Sequence, residues 1–335
     1  MKKKTHLLED RFERKHNYLR ISLTERCNLR CAYCMPVDGV PLSPAANLMN
    51  ANEVFEIARL FVSYGVDKIR LTGGEPSVRK DFPQIVERLS QLPVKLSLTT
   101  NAVSIDRHIP LLKASKVNTL NISLDTLNAV RFKKITFRDY FDRVYQNILL
   151  LIQSGFQVKI NAVLMKGVNE EEILDFIQFT KNHPVVFRFI EFMPFDGNQW
   201  NREKTVSYKE IMDQIATEYA PEEILRIQDE PNDTTKNYKI KGYQGSFGVI
   251  STVTNPFCDR CNRLRLTANG QLKNCLFSQK EQDLLTAFRN KEDLTPIIEK
   301  AVLGKKAVRG GMETPEAFED TDRHTRNRSM ITIGG

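Results

Sequence analysis

Apolar and polar residues alternate in six short stretches of the first 200 residues, at 18–24, 68–71, 95–99, 119–124, 157–164 and 186–193. Each reads as a β-strand. Between them the apolar period lengthens from two to three or four. Val54, Ile57, Ala58 and Phe61 mark one helix, with Asn50 and Glu53 placed as a capping box and Gly65 as its stop. Phe82, Ile85, Val86 and Leu89 mark the next, and Phe141, Val144, Ile148 and Leu151 mark one ending at Gly155. Asn169 opens another that carries Ile173, Leu174 and Ile177. Strands alternating with helices predict an α/β fold built on a parallel sheet.

These strands are not the near-continuous apolar runs of a parallel sheet buried on both faces. One parity is polar throughout: Arg20, Ser22 and Thr24, then Arg70 and Thr72, then Ser97, Thr99 and Asn101, then Asn121, Ser123 and Asp125, then Lys159 and Asn161. If helices cover the apolar face, the polar face lines a lumen. That predicts six βα units curved into a barrel around a large polar ligand. An antiparallel sheet with one wet side is the competing reading, and the intervening helices argue against it. After Trp200 the rhythm gives way to a polar stretch with Pro221, Pro231 and Asn232, then to glycine-punctuated apolar runs such as 248–253. The chain therefore divides into a barrel at 1–200 and a C-terminal covering region at 201–335.

All six cysteines fall into two triplets. Cys27, Cys31 and Cys34 are spaced C-x3-C-x2-C where the first strand runs out, and Cys258, Cys261 and Cys275 are spaced C-x2-C-x13-C. A closed zinc or Fe-S site takes four protein ligands, and neither triplet has a fourth cysteine or a histidine nearby. Three thiolates leave one metal position open, which suits a 4Fe-4S cluster with a free iron. A zinc knuckle or ribbon borrowing a distant ligand is the alternative. Cysteines committed to metal imply a reducing compartment, expected to be the cytoplasm. The 41% hydrophobic content supports a sizeable core, and no apolar run is long enough to span a membrane. The 49 Lys and Arg against 41 Asp and Glu give a net charge of +8, which admits an anionic partner without naming it. Lys2-Lys3-Lys4 reads as a solvated terminus. Arg263 and Arg265 fall on one side of a short strand beside the second triplet.

Cys27, Cys31 and Cys34, with Tyr33 before the last, resemble the radical S-adenosylmethionine signature. That resemblance implies an incomplete six-unit barrel, a 4Fe-4S cluster that binds S-adenosylmethionine at its open iron, and reductive cleavage to a 5′-deoxyadenosyl radical. The second triplet with Asn262-Arg263-Leu264-Arg265 is similar to the C-x2-C-N-R-x-R pattern of the GTP 3′,8-cyclase family. This second likeness extends from Tyr18 to Ile333-Gly334-Gly335. It implies a lyase that abstracts hydrogen from the ribose C3′ of GTP and joins C3′ to C8. The product would be (8S)-3′,8-cyclo-7,8-dihydroguanosine 5′-triphosphate, in molybdenum cofactor biosynthesis. An electron donor and a cyclic pyranopterin monophosphate synthase are the implied functional partners.

The same resemblance assigns the six cysteines to two 4Fe-4S clusters. It assigns Tyr33, Ser123, Met193 and Gly74, in Leu71-Thr72-Gly73-Gly74-Glu75-Pro76, to S-adenosylmethionine. Arg20, Arg70, Thr99, Lys159, Arg263, Leu264 and Arg265 are assigned to GTP. The Gly334-Gly335 tail is expected to reach into the barrel, and Arg309, beside Gly310-Gly311, to approach in the same way. No protein side chain is assigned as the catalytic group. One departure is Ala102 after Asn101, where the family usually has Gly. Without a Walker A loop, phosphate would fall to the arginines and Lys159. Two other readings compete: a radical S-adenosylmethionine peptide-modifying enzyme with an auxiliary cluster, and a basic nucleic-acid-binding metalloprotein. The second would need clustered basic and aromatic residues, whereas here the basic residues are spread along the chain. Neither nucleic acid nor membrane is expected as a partner, and the choice between monomer and homodimer stays open.

Overall fold

In the computed structural model, which describes residues 7–35 and 39–334, all six expected strands form. They are β1 (Tyr18–Ser22), β2 (Lys68–Thr72), β3 (Lys95–Thr100), β4 (Thr119–Ser123), β5 (Gln157–Leu164) and β6 (Val186–Glu191). They lie side by side in chain order, every pair parallel. Lys2-Lys3-Lys4 and Gly335 lie outside the described residues.

Six more strands come from the C-terminal region: β7 (Ile224–Arg226), β8 (Lys236–Ile240), β9 (Ser246–Ile250), β10 (Arg263–Leu266), β11 (Gln271–Lys273) and β12 (Gln282–Asp283). They do more than cover. β9 pairs parallel with β6 and carries β8 and β7. β10 pairs parallel with β1 and carries β11 and β12. The sheet therefore runs β12-β11-β10-β1-β2-β3-β4-β5-β6-β9-β8-β7. Strands 1 and 6, which would otherwise present unpaired backbone edges, are both satisfied by the second part of the chain.

The helices are α1 (Ala51–Ser63), α2 (Phe82–Leu89), α3 (Ile109–Ala114), α4 (Ala129–Thr136), α5 (Phe141–Gln153) and α6 (Ile173–Asn182). In α1 the Asn50 side chain accepts from Glu53 N, and the Glu53 carboxylate accepts from Asn50 N, closing the expected capping box. The residues read as the apolar stripes of α1, α2 and α5 are buried, apart from Phe141, which is half-buried. Two elements differ from expectation. Two helices, α4 and α5, lie between β4 and β5 instead of one. Asn169 does not cap α6: its side chain donates to the Asp125 and Val163 carbonyls at 2.7 and 2.9 Å and accepts from Met165 N at 2.8 Å. It ties the ends of β4 and β5 together, and a 3-10 turn at Glu170–Glu172 starts the helix.

Register sorts the two faces of the sheet. Leu19, Ile69 and Leu96 align across β1, β2 and β3, as do Ile21, Leu71 and Leu98. Ile122, Ile160, Phe187 and Phe247 align across β4, β5, β6 and β9. All are buried and belong to one core under the helices. A smaller cluster, with Phe192, Phe195, Trp200, Phe277, Met312, Phe318 and Ile333, joins the chain after β6 to the C-terminal segment. Among the described residues no helix is long and apolar enough to cross a membrane.

Phe187 is fully buried and stacks on Phe176 with centroids 4.4 Å apart. Replacing it with Ala should cost about 3–5 kcal/mol, read from the urea midpoint at unchanged slope.

Candidate functional site

Every polar strand position falls in register with another. Arg265, Arg20, Arg70 and Ser97 form one row across β10, β1, β2 and β3. Thr99, Asn121 and Lys159 form a second, and Ser123, Asn161 and Arg188 a third. Alternation then puts the side chains of each row on the face opposite the helices.

This face is crowded with cations. Arg188 and Arg265 are buried, while Arg20, Arg70, Lys159 and Arg263 are half-buried. Burial, with Arg70 close by, pulls Arg188 down to about 9. Burial and the neighbouring Arg263 bring Arg265 down to about 10. Burial, then Arg265 and Arg70, lower Arg20 as well. Lys159 is lowered by burial and by Arg188. Asn121 accepts from Arg188 Nη2, yet Arg188 Nε, Arg70 Nε, Thr99 Oγ1, Asn161 Oδ1 and Tyr18 Oη are buried without a hydrogen-bond partner among the described residues. Buried polar atoms left in this state point to a ligand.

The first cysteine set follows the C-terminal end of β1. Its loop is closed on the Gly73-Gly74-Glu75 turn after β2. Gly74 N donates to Thr24 O at 2.7 Å and Glu75 N to Arg26 O at 2.8 Å. A Cβ on Gly74 would stand 2.3 Å from Arg26 O, so only glycine permits this approach. Glu75 is fully buried and accepts from Ser77 N and Oγ, Thr100 Oγ1 and Asn101 N, which locks the turn to β3. Asn101 in turn donates to Cys27 Sγ at 3.6 Å. Tyr33 donates its hydroxyl to Asp125 at 2.8 Å, and Asp125 also accepts from Val163 N at 2.9 Å. Burial raises Asp125 to about 6 against those two bonds. Burial and Glu75 push Cys27 up to about 11; burial and Cys27 push Cys34 up to about 12. Burial and the neighbouring acidic groups and thiols outweigh Arg30 there, and a cation held among the three sulfurs would invert that balance. A cavity of about 420 Å³ opens beside Cys27, lined by Glu25, Arg26, Arg30, Met35, Leu42 and Ile331.

The second set sits at the other end of the same face, because Cys258 and Cys261 precede β10, which runs parallel to β1. A cavity of about 730 Å³ adjoins Cys261 there, with Asn17 and Asp67 from the starts of β1 and β2 in its wall. Burial raises Cys261, but the Arg263 and Lys305 charges outweigh it and bring the thiol down to about 6. Arg309 N donates to Cys258 Sγ at 3.4 Å. Donors aimed at the sulfurs fit thiolate ligands. Among the described residues no three His, Cys, Asp or Glu groups are gathered to hold a single metal ion.

The other expected residues are placed unevenly. Ser123 and Met193 are half-buried at the C-terminal ends of β4 and β6. The Leu264 side chain is buried in the core, so its backbone is the part available to the face carrying Arg263 and Arg265. Gly334, at φ 87°, lies against this face: a Cβ there would be 2.9 Å from Ser22 Cβ and 3.1 Å from Thr72 Cγ2. Its carbonyl accepts from Arg265 Nη1 at 2.8 Å. Arg309 is buried with its guanidinium 4.6 Å over the Phe318 ring. Reading the sequence missed Arg188, Tyr18 and Lys305. Arg188 shares the polar parity of β6, and Tyr18 that of β1, so alternation could have found both; nothing in the sequence marks Lys305.

The Radical SAM superfamily matches residues 21–180, and the Molybdenum Cofactor Synthesis C family matches 185–309. The Arabidopsis thaliana protein "GTP 3′,8-cyclase, mitochondrial" is 48% identical over 98% of this chain and 84% of its own length. "GTP 3′,8-cyclase" of Lactiplantibacillus plantarum is 39% identical over 98% of this chain and 99% of its own. This chain belongs to the GTP 3′,8-cyclase family. That family is one of radical S-adenosylmethionine enzymes, with a 4Fe-4S cluster and S-adenosylmethionine as cofactors. The human "Molybdenum cofactor biosynthesis protein 1" is 47% identical, and the cyclase chain spans about half its length, 51%. The Streptococcus suis SuiB structure bound to S-adenosylmethionine shares the fold, with a TM-score of 0.61 at 19% identity, covering 84% of this chain and 65% of SuiB.

The family's usual glycine after Asn101 is Ala102 here, and the turn is kept: Ala102 adopts φ 61° and is buried. A left-handed alanine costs about 1–2 kcal/mol, partly offset by its smaller loss of chain entropy. Ala102→Gly should therefore raise stability by about 0.5–1 kcal/mol in chemical denaturation.

Proposed function

We propose that this chain converts GTP to 3′,8-cyclo-7,8-dihydro-GTP, with GTP held along the polar face between the two cysteine sets. The observation that carries this reading is the surplus of buried cations. Burial and neighbouring cations, Arg70 and Arg263 among them, lower Arg20, Lys159, Arg188 and Arg265, and a polyanionic ligand would relieve the cost of crowding them on one face. The sheet would curve as an incomplete six-unit barrel, its 1–200 portion forming the wall and 201–335 closing it. Cys27, Cys31 and Cys34 would hold the cluster that binds S-adenosylmethionine, and that pair would supply the radical chemistry for hydrogen-atom abstraction.

The chain's own residues provide placement. Gly74 leaves room against the cysteine loop, Tyr33 is oriented by Asp125, and Ser123 and Met193 border the same end of the sheet. Cys258, Cys261 and Cys275 would hold a second cluster at the opposite end, flanked by Arg263. A substrate stretched between the two ends is fixed in one orientation, which is what a reaction joining two of its own atoms demands. Gly334, hydrogen-bonded to Arg265, would border the ligand, and Gly335 would extend from it. The product would pass to a cyclic pyranopterin monophosphate synthase, and one electron would come from an external donor. Six free thiols suit a reducing compartment such as the cytoplasm.

The test is anaerobic incubation of reconstituted protein with GTP, S-adenosylmethionine and a reductant, following 5′-deoxyadenosine and cyclised product together. Absence of cyclised product from a fully loaded protein would sink the reading. Replacing Cys258, Cys261 and Cys275 with Ala should spare uncoupled cleavage of S-adenosylmethionine and remove cyclisation. A variant that still cyclises GTP would reduce that set to a structural role.

Arg70→Ala should weaken GTP binding by about 1.5–3 kcal/mol, the range for a charge-assisted contact, and weaken guanosine less. Calorimetric titration of both ligands decides it: equal losses would move Arg70 from phosphate to base or ribose.

A further inference from the structure

The sulfur of Cys261 is met by two cationic donors. Lys305, 4% exposed, donates from Nζ to Cys261 Sγ at 3.3 Å and to the Arg263 carbonyl at 3.0 Å. Arg263 Nη2 approaches the same sulfur at 3.7 Å. Among the described residues Lys305 makes no ion pair with a carboxylate. Two cationic donors therefore converge on one sulfur of the second cysteine set, and the Lys305 ammonium is shared between that sulfur and a backbone carbonyl.

The segment that carries Lys305 is itself anchored from the far end of the chain. Arg14 donates to the carbonyls of Lys306 and Ala307, each at 2.9 Å, and to that of Cys258 at 2.7 Å. Asp10 holds the Arg14 guanidinium by accepting from Nε at 2.7 Å. One buried arginine thus ties the loop that bears Cys258 and Cys261 to the backbone beside the lysine that reaches Cys261. Arrangement of this kind around a ligating atom is how an outer layer of contacts orients a metal ligand and tunes the metal.

We propose that Lys305 is a positioning residue for the second cysteine set: its ammonium holds the Cys261 thiolate in place and raises the reduction potential of the cluster bound there. The inference rests on the reading that this set holds a cluster. An N–H donor withdraws charge from a ligating sulfur, which retains the ligand and favours the more negative, reduced state of the cluster.

The experiment uses the full chain with Cys27, Cys31 and Cys34 replaced by Ala, reconstituted anaerobically so that any iron belongs to the second set. Lys305→Met, Lys305→Gln and Lys305→Arg are compared in that background. Iron content and circular dichroism are measured first, then the rate of iron release to a chelator and the midpoint potential from an EPR-monitored titration. Lys305→Met should still take up the cluster, lose iron about 10- to 100-fold faster and show a lower potential. Lys305→Gln, which keeps a donor without the charge, should fall between, and Lys305→Arg should restore most of both properties. If Lys305→Met does not fold, Lys305→Gln against Lys305→Arg makes the same comparison. A folded Lys305→Met or Lys305→Gln protein with unchanged release and potential overturns the proposal. A parent that takes up no iron at Cys258, Cys261 and Cys275 overturns the second-cluster reading, and this inference with it.

Discussion

Crowding of like charges on one face of the sheet governs this protein. Arg188 and Arg265 are buried, Arg20 and Arg70 lie in one row with Arg265, Lys159 stands on the strand beside that of Arg188, and neighbouring cations lower Arg20, Lys159, Arg188 and Arg265. Burial alone would make such a face costly, and mutual repulsion raises the cost. At one end of it the Cys27, Cys31 and Cys34 thiols are in the reverse condition, pushed toward neutrality by burial and by nearby Asp125 and Glu75. Under the proposed function, ligands would complete these arrangements: an anion along the face and a cluster at its end.

The rest of the structure holds that incomplete assembly in shape. The apolar parity of the same strands packs in register under the helices, so the polar parity is fixed by a core it does not share. Glu75 buries a carboxylate with four donors to bind the turn after β2 to the end of β3. Gly73 and Gly74 let that turn press against the backbone of the cysteine loop. On the far side, the cluster of Phe192, Phe195, Trp200, Phe277 and Phe318 clamps the C-terminal segment, and Ile333 in that cluster delivers Gly334 to Arg265.

The fold by itself does not identify a chemistry, since a likeness at 19% identity, as with the SuiB structure, carries the fold alone. The polar face adds a charge pattern to the fold. A row of three arginines on adjacent strands, with Lys159 and Arg188 in the other two rows of the same face, suits a compact polyanion. The full-length relatives in the plant and the bacterium bear the cyclase name, and the charge pattern is what that substrate would require.

Local pattern was enough for the six parallel strands, the stripes of α1, α2 and α5, the capping box at Asn50 and both cysteine sets, because each depends on neighbours within a few residues. Even the polar face was legible, since strand alternation is a period of two. What required the tertiary structure was everything set by distant segments. Strand 10 beside strand 1 and strand 9 beside strand 6 follow from edges needing partners, which no local period announces. Asn169 looked like a helix cap and instead ties β4 to β5, because two carbonyls and an amide of the β4 and β5 ends stood within its reach. Leu264 sits inside the arginine motif yet turns into the core, and Lys305, in no motif, reaches Cys261 from 44 residues away. Sequence determined which chemistries the chain carries; packing decided which side chains meet them, because burial and approach are properties of segments brought together only by the fold.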